Sequence, residues 1–200
     1  MSLLRLPDWT GQTVLVAASG PSQRKEDIAR ARGKAKVIVI NETWRLAPWA
    51  DLLYACDSLW WRDRAPLENA FRGARYIGDG EHEGCTPCGV KPGGDAMMWC
   101  GDTLGAGGNS GFQALNLAAM TGAKEIILTG FDLQLTDGKK HHHADHRGGL
   151  LNPDRRMLRQ CAKLLDQAAD DLAARGVTVI NCTRETALKE YPRASIKDVL

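Results

Sequence analysis

A chain of 200 residues, 44% hydrophobic and 25% charged, has the composition of an ordinary globular core, and its formal charge of +2 is too small to argue for nucleic-acid or membrane-surface binding. Its length suits one α/β domain spanning residues 1–200. No apolar run approaches the roughly eighteen residues of a membrane helix, the opening MSLLRLPDWTGQ has no long apolar segment, and six irregularly spaced cysteines read as reduced thiols, so a cytoplasmic protein is expected.

In chain order, Val14–Ala18 (VLVAA) reads as a short buried strand running into Ser19-Gly20-Pro21-Ser22. Ser22 can cap a charged helix extending to Arg32. Val37–Ile40 (VIVI) is a second buried strand, ending at Asn41-Glu42-Thr43. Two buried strands joined by a helix-length connection predict a parallel, right-handed βαβ unit. Asp51–Cys56 is a third strand candidate, and Arg75–Ile77 a short fourth. Four tryptophans fall between Trp44 and Trp61, either as a stacking surface for a ring-bearing ligand or as packed core. Over residues 79–104 periodicity vanishes, and Gly, Pro, Cys and His predict a long irregular insert.

Gly105–Asp132 combines a glycine-rich loop, an amphipathic helix capped by Asn109 or Ser110, a stop at Gly122 and a buried strand ending in a carboxylate. Gly107, Gly108 and Gly111 would let backbone approach a ligand, with the positive end of the helix dipole behind them. A second insert, Thr136–Leu151, is polar and rich in histidine and glycine. Asn152-Pro153-Asp154 then opens a long helix that Gly176 ends, and Val177–Ile180 is the last strand.

This order predicts a Rossmann-like open, mostly parallel sheet with helices on both faces. In such a sheet the polar residues at the strand ends, Ser19–Ser22, Asn41, Asp57, Asp132 and Asn181, would share one edge and line one crevice. Ser19, Gly20, Pro21 and Ser22 lack the Walker lysine and the GxGxxG pattern, yet such a turn can meet a phosphate with N–H groups and hydroxyls; the alternative is an ordinary turn with a helix cap.

The sequence His141, His142, His143, Asp145, His146 is the densest titratable cluster: a solvated loop, a catalytic or substrate-binding histidine, or a metal site built from His143, Asp145 and His146. His146 closes the cluster ahead of an Arg147-Gly148-Gly149 turn, and His141 and His142 are expected to meet solvent or substrate phosphate. His82, Cys85, Cys88 and Cys100 give H-x2-C-x2-C-x11-C, read as a zinc-stapled loop or as unligated thiols. Cys56, Cys161 and Cys182 are expected in the core.

The SGPS turn, Asn41 and the run SGFQALNLAAMTGAKEIILTGFD at Ser110–Asp132 together resemble the bacterial sialyltransferases of glycosyltransferase family 42. They are also similar to the archaeal 6-hydroxymethylpterin diphosphokinase-like and motility-associated proteins. GNSGFQALNLA at Gly108–Ala118, the histidine loop at 141–146 and VINCTRETAL at 179–188 resemble a small phage and prophage family, which would place the protein in a host cytoplasm. The resemblance implies a nucleotide-dependent transferase, with glycosyl transfer from a nucleotide-sugar donor as the first reading. It implies a nucleotide held by the Ser19–Ser22 turn and Asn41, and a histidine before the long helix, here His146, as base on the acceptor; the loop Gly107, Gly108, Asn109, Ser110 and Gly111 is expected to join the nucleotide site because it falls on the same sheet edge. His143 and Asp132 join His146 as catalytic candidates. The alternatives are an ATP-dependent diphosphokinase using magnesium through Asp132, or a protein that sequesters a nucleotide without turnover. The chain has only three tyrosines, unlike the tyrosine-rich acceptor segment of the sialyltransferases, so the donor sugar stays open. The expected partner is a small nucleotide ligand; homo-oligomerisation is left open.

Overall fold

The computed structural model describes residues 6–62, 70–101, 103–146 and 148–200; the first five residues of the opening stretch and Arg147 of the glycine turn lie outside them. Among the described residues nine short strands form: β1 (Thr13–Ala17), β2 (Lys36–Ile40), β3 (Leu52–Ala55), β4 (Ala74–Ile77), β5 (Thr86–Pro87), β6 (Val90–Lys91), β7 (Leu104–Gly105), β8 (Glu125–Thr129) and β9 (Thr178–Asn181). Seven of them make one sheet in the order β5-β4-β3-β2-β1-β8-β9, and every pairing in it is parallel. The expected Rossmann-like α/β architecture is the one observed.

The runs VLVA, VIVI and IILT lack a polar break because both faces of their strands are covered. Alternate residues divide between two cores. Val14, Val16, Ile38, Ile40, Ile126 and Leu128 pack under the helices Ser110–Met120 and Arg155–Gln167, against Phe112, Leu115, Leu164 and Leu165. Leu15, Ala17, Val37, Val39 and Ile127 face the other way, onto Ile28, Trp44, Trp60, Trp61 and Ile196. The clustered tryptophans are therefore mainly core; Trp49, half-buried, lies under the Arg32 guanidinium, 5.3 Å from its ring centroid.

Three elements differ from expectation. The first helix is confined to Lys25–Ala29, because Arg24 at its N-cap makes no capping bond and Ser22 is engaged elsewhere. The long C-terminal helix starts at Arg155, capped by Asp154 and not Asn152, whose amide is used by His146. The 79–104 insert is less irregular than its composition predicts. β5 extends the main sheet, and β6 pairs with β7 in a small parallel sheet of its own. Asn116 on the Ser110–Met120 helix holds this insert down, accepting from the N–H groups of Met98 (2.9 Å) and Gly105 (2.8 Å) and donating to the Met98 carbonyl (2.7 Å). Gln113, one turn earlier, donates to the Ala106 carbonyl and accepts from the Tyr54 hydroxyl.

Candidate functional site

Strand order reverses direction between β1 and β8, and in open α/β sheets the crevice outside the carboxyl ends at such a point is where ligands bind. The crevice found there is lined by Ser19 and Gly20 after β1, Asn41 after β2, Asp57 after β3 and Gly130 after β8. Gly108, Asn109, Ser110 and Gly111 form another wall, at the N-terminus of the Ser110–Met120 helix. Asn109 caps that helix by accepting from the Phe112 N–H at 3.0 Å. The helix thus turns its positive end and its remaining N–H groups toward the cavity. Met157, Leu158 and Cys161 of the Arg155–Gln167 helix close the apolar side. The roof is the histidine insert, contributing Lys140, His141 and His146.

The floor is held by hydrogen bonds that leave its backbone little freedom. Ser19 Oγ donates to the Ile40 carbonyl (3.1 Å) and lies 3.0 Å from Thr43 Oγ1. Asn41 sits at φ 49°, in the left-handed region that asparagine tolerates better than most side chains. Gly20 packs so closely on Asp132 and the Gly130 carbonyl that a Cβ there would collide with both.

Several expected ligand contacts are absent from the crevice. Pro21 and Ser22 are buried beneath it: Ser22 donates from N and Oγ to the two oxygens of Asp132, both at 2.9 Å. Asp132 is fully buried and also accepts from Thr136 Oγ1 at 3.0 Å, so it braces the turn and has no face for magnesium or substrate. Burial pushes its carboxyl pKa up, while the bonds from Ser22 and Thr136 pull the other way. Gly107 is folded against the Phe112 ring and is buried. Asn181, also buried, accepts from the Thr183 N–H (3.0 Å), and Thr183 in turn accepts from the Phe131 N–H (3.0 Å). The VINCTRETAL segment therefore stiffens the end of β8 and forms no part of the crevice wall.

The zinc reading of the 79–104 insert fails because its four groups do not converge. Cys88 is buried with its thiol donating to the Ile77 carbonyl (3.3 Å), Cys85 packs on the tryptophan core, His82 stacks on Trp61 at 5.8 Å, and Cys100 is exposed. Burial pushes the Cys88 thiol up to about 12 and that of Cys85 to about 11. The Asn116 amide, hydrogen-bonded to Met98 and to Gly105 just after it, fastens the insert instead.

Within the roof, His142 is an anchor. Its N–H donates to the Ser19 carbonyl (3.0 Å) and its Nε2 lies 3.2 Å from Thr43 Oγ1, tying the insert to the ends of β1 and β2. The expectation that it meets solvent or phosphate is corrected. Asn152 pins the other end, accepting from the His146 N–H (2.8 Å) and donating to its carbonyl (2.9 Å). Between these anchors the rings of His141, His143 and His146 gather with centroids 4.9–5.0 Å apart. Among the described residues this is the one group of three or more His, Cys, Asp or Glu side chains able to share a metal ion. Asp145, expected as a ligand, pairs with Lys140 at 3.3 Å instead, and His141 takes its place. Burial, reinforced by the neighbouring imidazoles, pushes His141 down to about 4, so its ring is neutral at pH 7. His143 faces a second cavity, which it and His146 line together with Glu42, Arg45 and Arg62. His146 borders both cavities. The crevice takes His141, one of the histidines expected to meet solvent or substrate phosphate, but sequence reasoning missed Lys140, because nothing in the spacing of a loop says which side chains turn inward.

No protein-family model matches the chain, and no curated protein matches it. The fold is similar to a solved structure, that of the sialyltransferase CstII from Campylobacter jejuni in complex with a substrate analogue, cytidine-5'-monophosphate. The two superimpose with a TM-score of 0.60 at 13% identity, over 93% of this chain and 86% of the other. Among the described residues, no helix is long and apolar enough to cross a membrane.

Proposed function

We propose that the protein binds a nucleotide in the crevice at the β1–β8 reversal and transfers a glycosyl group from a nucleotide-sugar donor. The observation that carries this reading is the convergence of Ser19, Gly20, Asn41 and the helix start at Gly108–Gly111 on one cavity roofed by Lys140 and histidines. A helix N-terminus opposed by a lysine suits a phosphate, and Asn41 offers an amide to a base or sugar edge. The similarity of fold to a sialyltransferase solved with a cytidine nucleotide supports the same assignment. Glycosyl transfer further requires that the departing phosphate be stabilised and the acceptor hydroxyl lose its proton. The helix start and Lys140 serve the first need, and the histidine roof, with His146 bordering both cavities, serves the second. Diphosphoryl transfer is disfavoured, since Asp132 is sealed under the crevice floor.

The test is a thermal-shift panel of nucleoside mono- and diphosphates, followed by hydrolysis assays with the matching nucleotide sugars. Saturable stabilisation by one nucleotide class, with turnover of its sugar conjugate, is the expected result. Binding without turnover would make the protein a nucleotide-sequestering one, and a folded chain that no nucleotide stabilises would end the proposal.

A further inference from the structure

We propose that His141, His143 and His146 hold a zinc-class metal ion between the nucleotide crevice and the second cavity, with one coordination position left for the acceptor hydroxyl. The three ligand nitrogens already lie within 4.8 Å of one another. A tetrahedral zinc with bonds of about 2.0–2.1 Å sets its nitrogens about 3.4 Å apart, so modest ring rotations complete the site. The Nε2 atoms of His141 and His143 are buried and have no hydrogen-bond partner, which is costly for an imidazole unless a further group meets them. His143 Nδ1 lies 2.7 Å from the Ala144 carbonyl. That contact fixes the proton on Nδ1 and leaves the Nε2 lone pair for a metal, the orienting role such carbonyls play at histidine–metal centres. His142 on Ser19 and Thr43, and Asn152 on the His146 backbone, hold the loop at both ends. Neutral imidazoles favour zinc, copper or nickel over magnesium, and three protein ligands leave an open position of the kind catalytic zinc sites keep.

Position gives the ion its task. His141 and His146 border the nucleotide crevice, while His143 and His146 border the cavity lined by Glu42, Arg45 and Arg62. An ion bound by all three therefore stands between donor and acceptor. Bound at the open position, the acceptor hydroxyl becomes more acidic and gives its proton to solvent water. Its oxygen then supplies the electron pair for the new bond to the anomeric carbon. The bond from that carbon to the phosphate oxygen breaks, and its pair leaves on the nucleotide. This role rests on the nucleotide-sugar reading; the binding of the ion does not.

The experiment titrates zinc chloride, and separately cobalt(II), into chelator-treated full-length protein by calorimetry and visible absorption. One equivalent should bind, with the strong visible bands of four-coordinate cobalt. His143→Ala and His143→Gln should each weaken zinc at least about a hundredfold, while His82→Ala should bind as the parent does. Nucleotide-induced thermal shifts on the same metal-free proteins report folding and nucleotide binding independently. Absence of saturable zinc binding, or zinc affinity in the His143 variants equal to that of the parent, overturns the metal site. Zinc binding with no nucleotide stabilisation keeps the site but removes the nucleotide reading and the assigned role.

Discussion

Asn41 carries two separable tasks at one position. Its backbone turns the chain into the 3-10 segment Asn41–Arg45 at φ 49°, and its side chain faces the crevice. Asn41→Ala confounds them, since alanine in the left-handed region costs roughly 1–2 kcal/mol. Asn41→Gly keeps the turn and removes only the amide. It should weaken nucleotide binding by about 1–3 kcal/mol with the urea midpoint nearly unchanged, as calorimetry and denaturation can show. His146→Ala should lower turnover about a hundredfold or more while nucleotide affinity stays within a few-fold, whether the ring acts alone or as a ligand. Equal turnover in that variant would remove the histidine roof from the chemistry. The cysteines give a third outcome. The thiolate is the reacting form, and burial raises Cys56, Cys85 and Cys182 to about 11 and Cys88 to about 12. At pH 7.5 these groups remain thiols, and their alkylation should accelerate only as pH climbs toward those values. Exposed Cys100 should be labelled first, as mass spectrometry after brief iodoacetamide treatment would reveal.

Whole elements were readable where one physical requirement dominated. Apolar runs announce strands buried on both faces, and the glycine after Met120–Thr121 announces a helix end; Gly122 indeed sits at φ 85°. What stayed hidden depended on partners distant in sequence. Ser22 and Asp132, 110 residues apart, satisfy each other and leave the ligand crevice, although both stand at strand ends. Asn116 and Gln113 look like interruptions of an apolar helix, and only their distant partners explain them: Met98 and Gly105 for Asn116, Tyr54 and Ala106 for Gln113. Asn116 is accordingly the fastening point of that element. Asn116→Ala would strip three hydrogen bonds, leaving the buried Gly105 N–H unmet at about 1–3 kcal/mol and the half-buried Met98 N–H unpaired at a smaller cost. Faster amide exchange at Met98 and Gly105, with strands β1, β2 and β8 still protected, is the expected signature. Uniform loss of protection would mean instead that the insert is part of the main cooperative unit.

At the level of the whole molecule, the strand order that creates the crevice also determines when it can exist. β1 lies between β2 and β8, and its bond to the latter joins Thr13 to Glu125, 112 residues away. During synthesis the first five strands leave the ribosome with one side of β1 open, its N–H and C=O groups unpaired and its apolar faces half covered. Such a nascent intermediate is an edge that invites pairing with other chains. A fragment ending before β8, such as residues 1–110, should therefore associate and scatter light where the full chain does not, measurable by size-exclusion chromatography with light scattering. The gap proposed to receive a ligand in the finished protein is, for the growing chain, an unhealed seam that stays open until Glu125–Thr129 arrives.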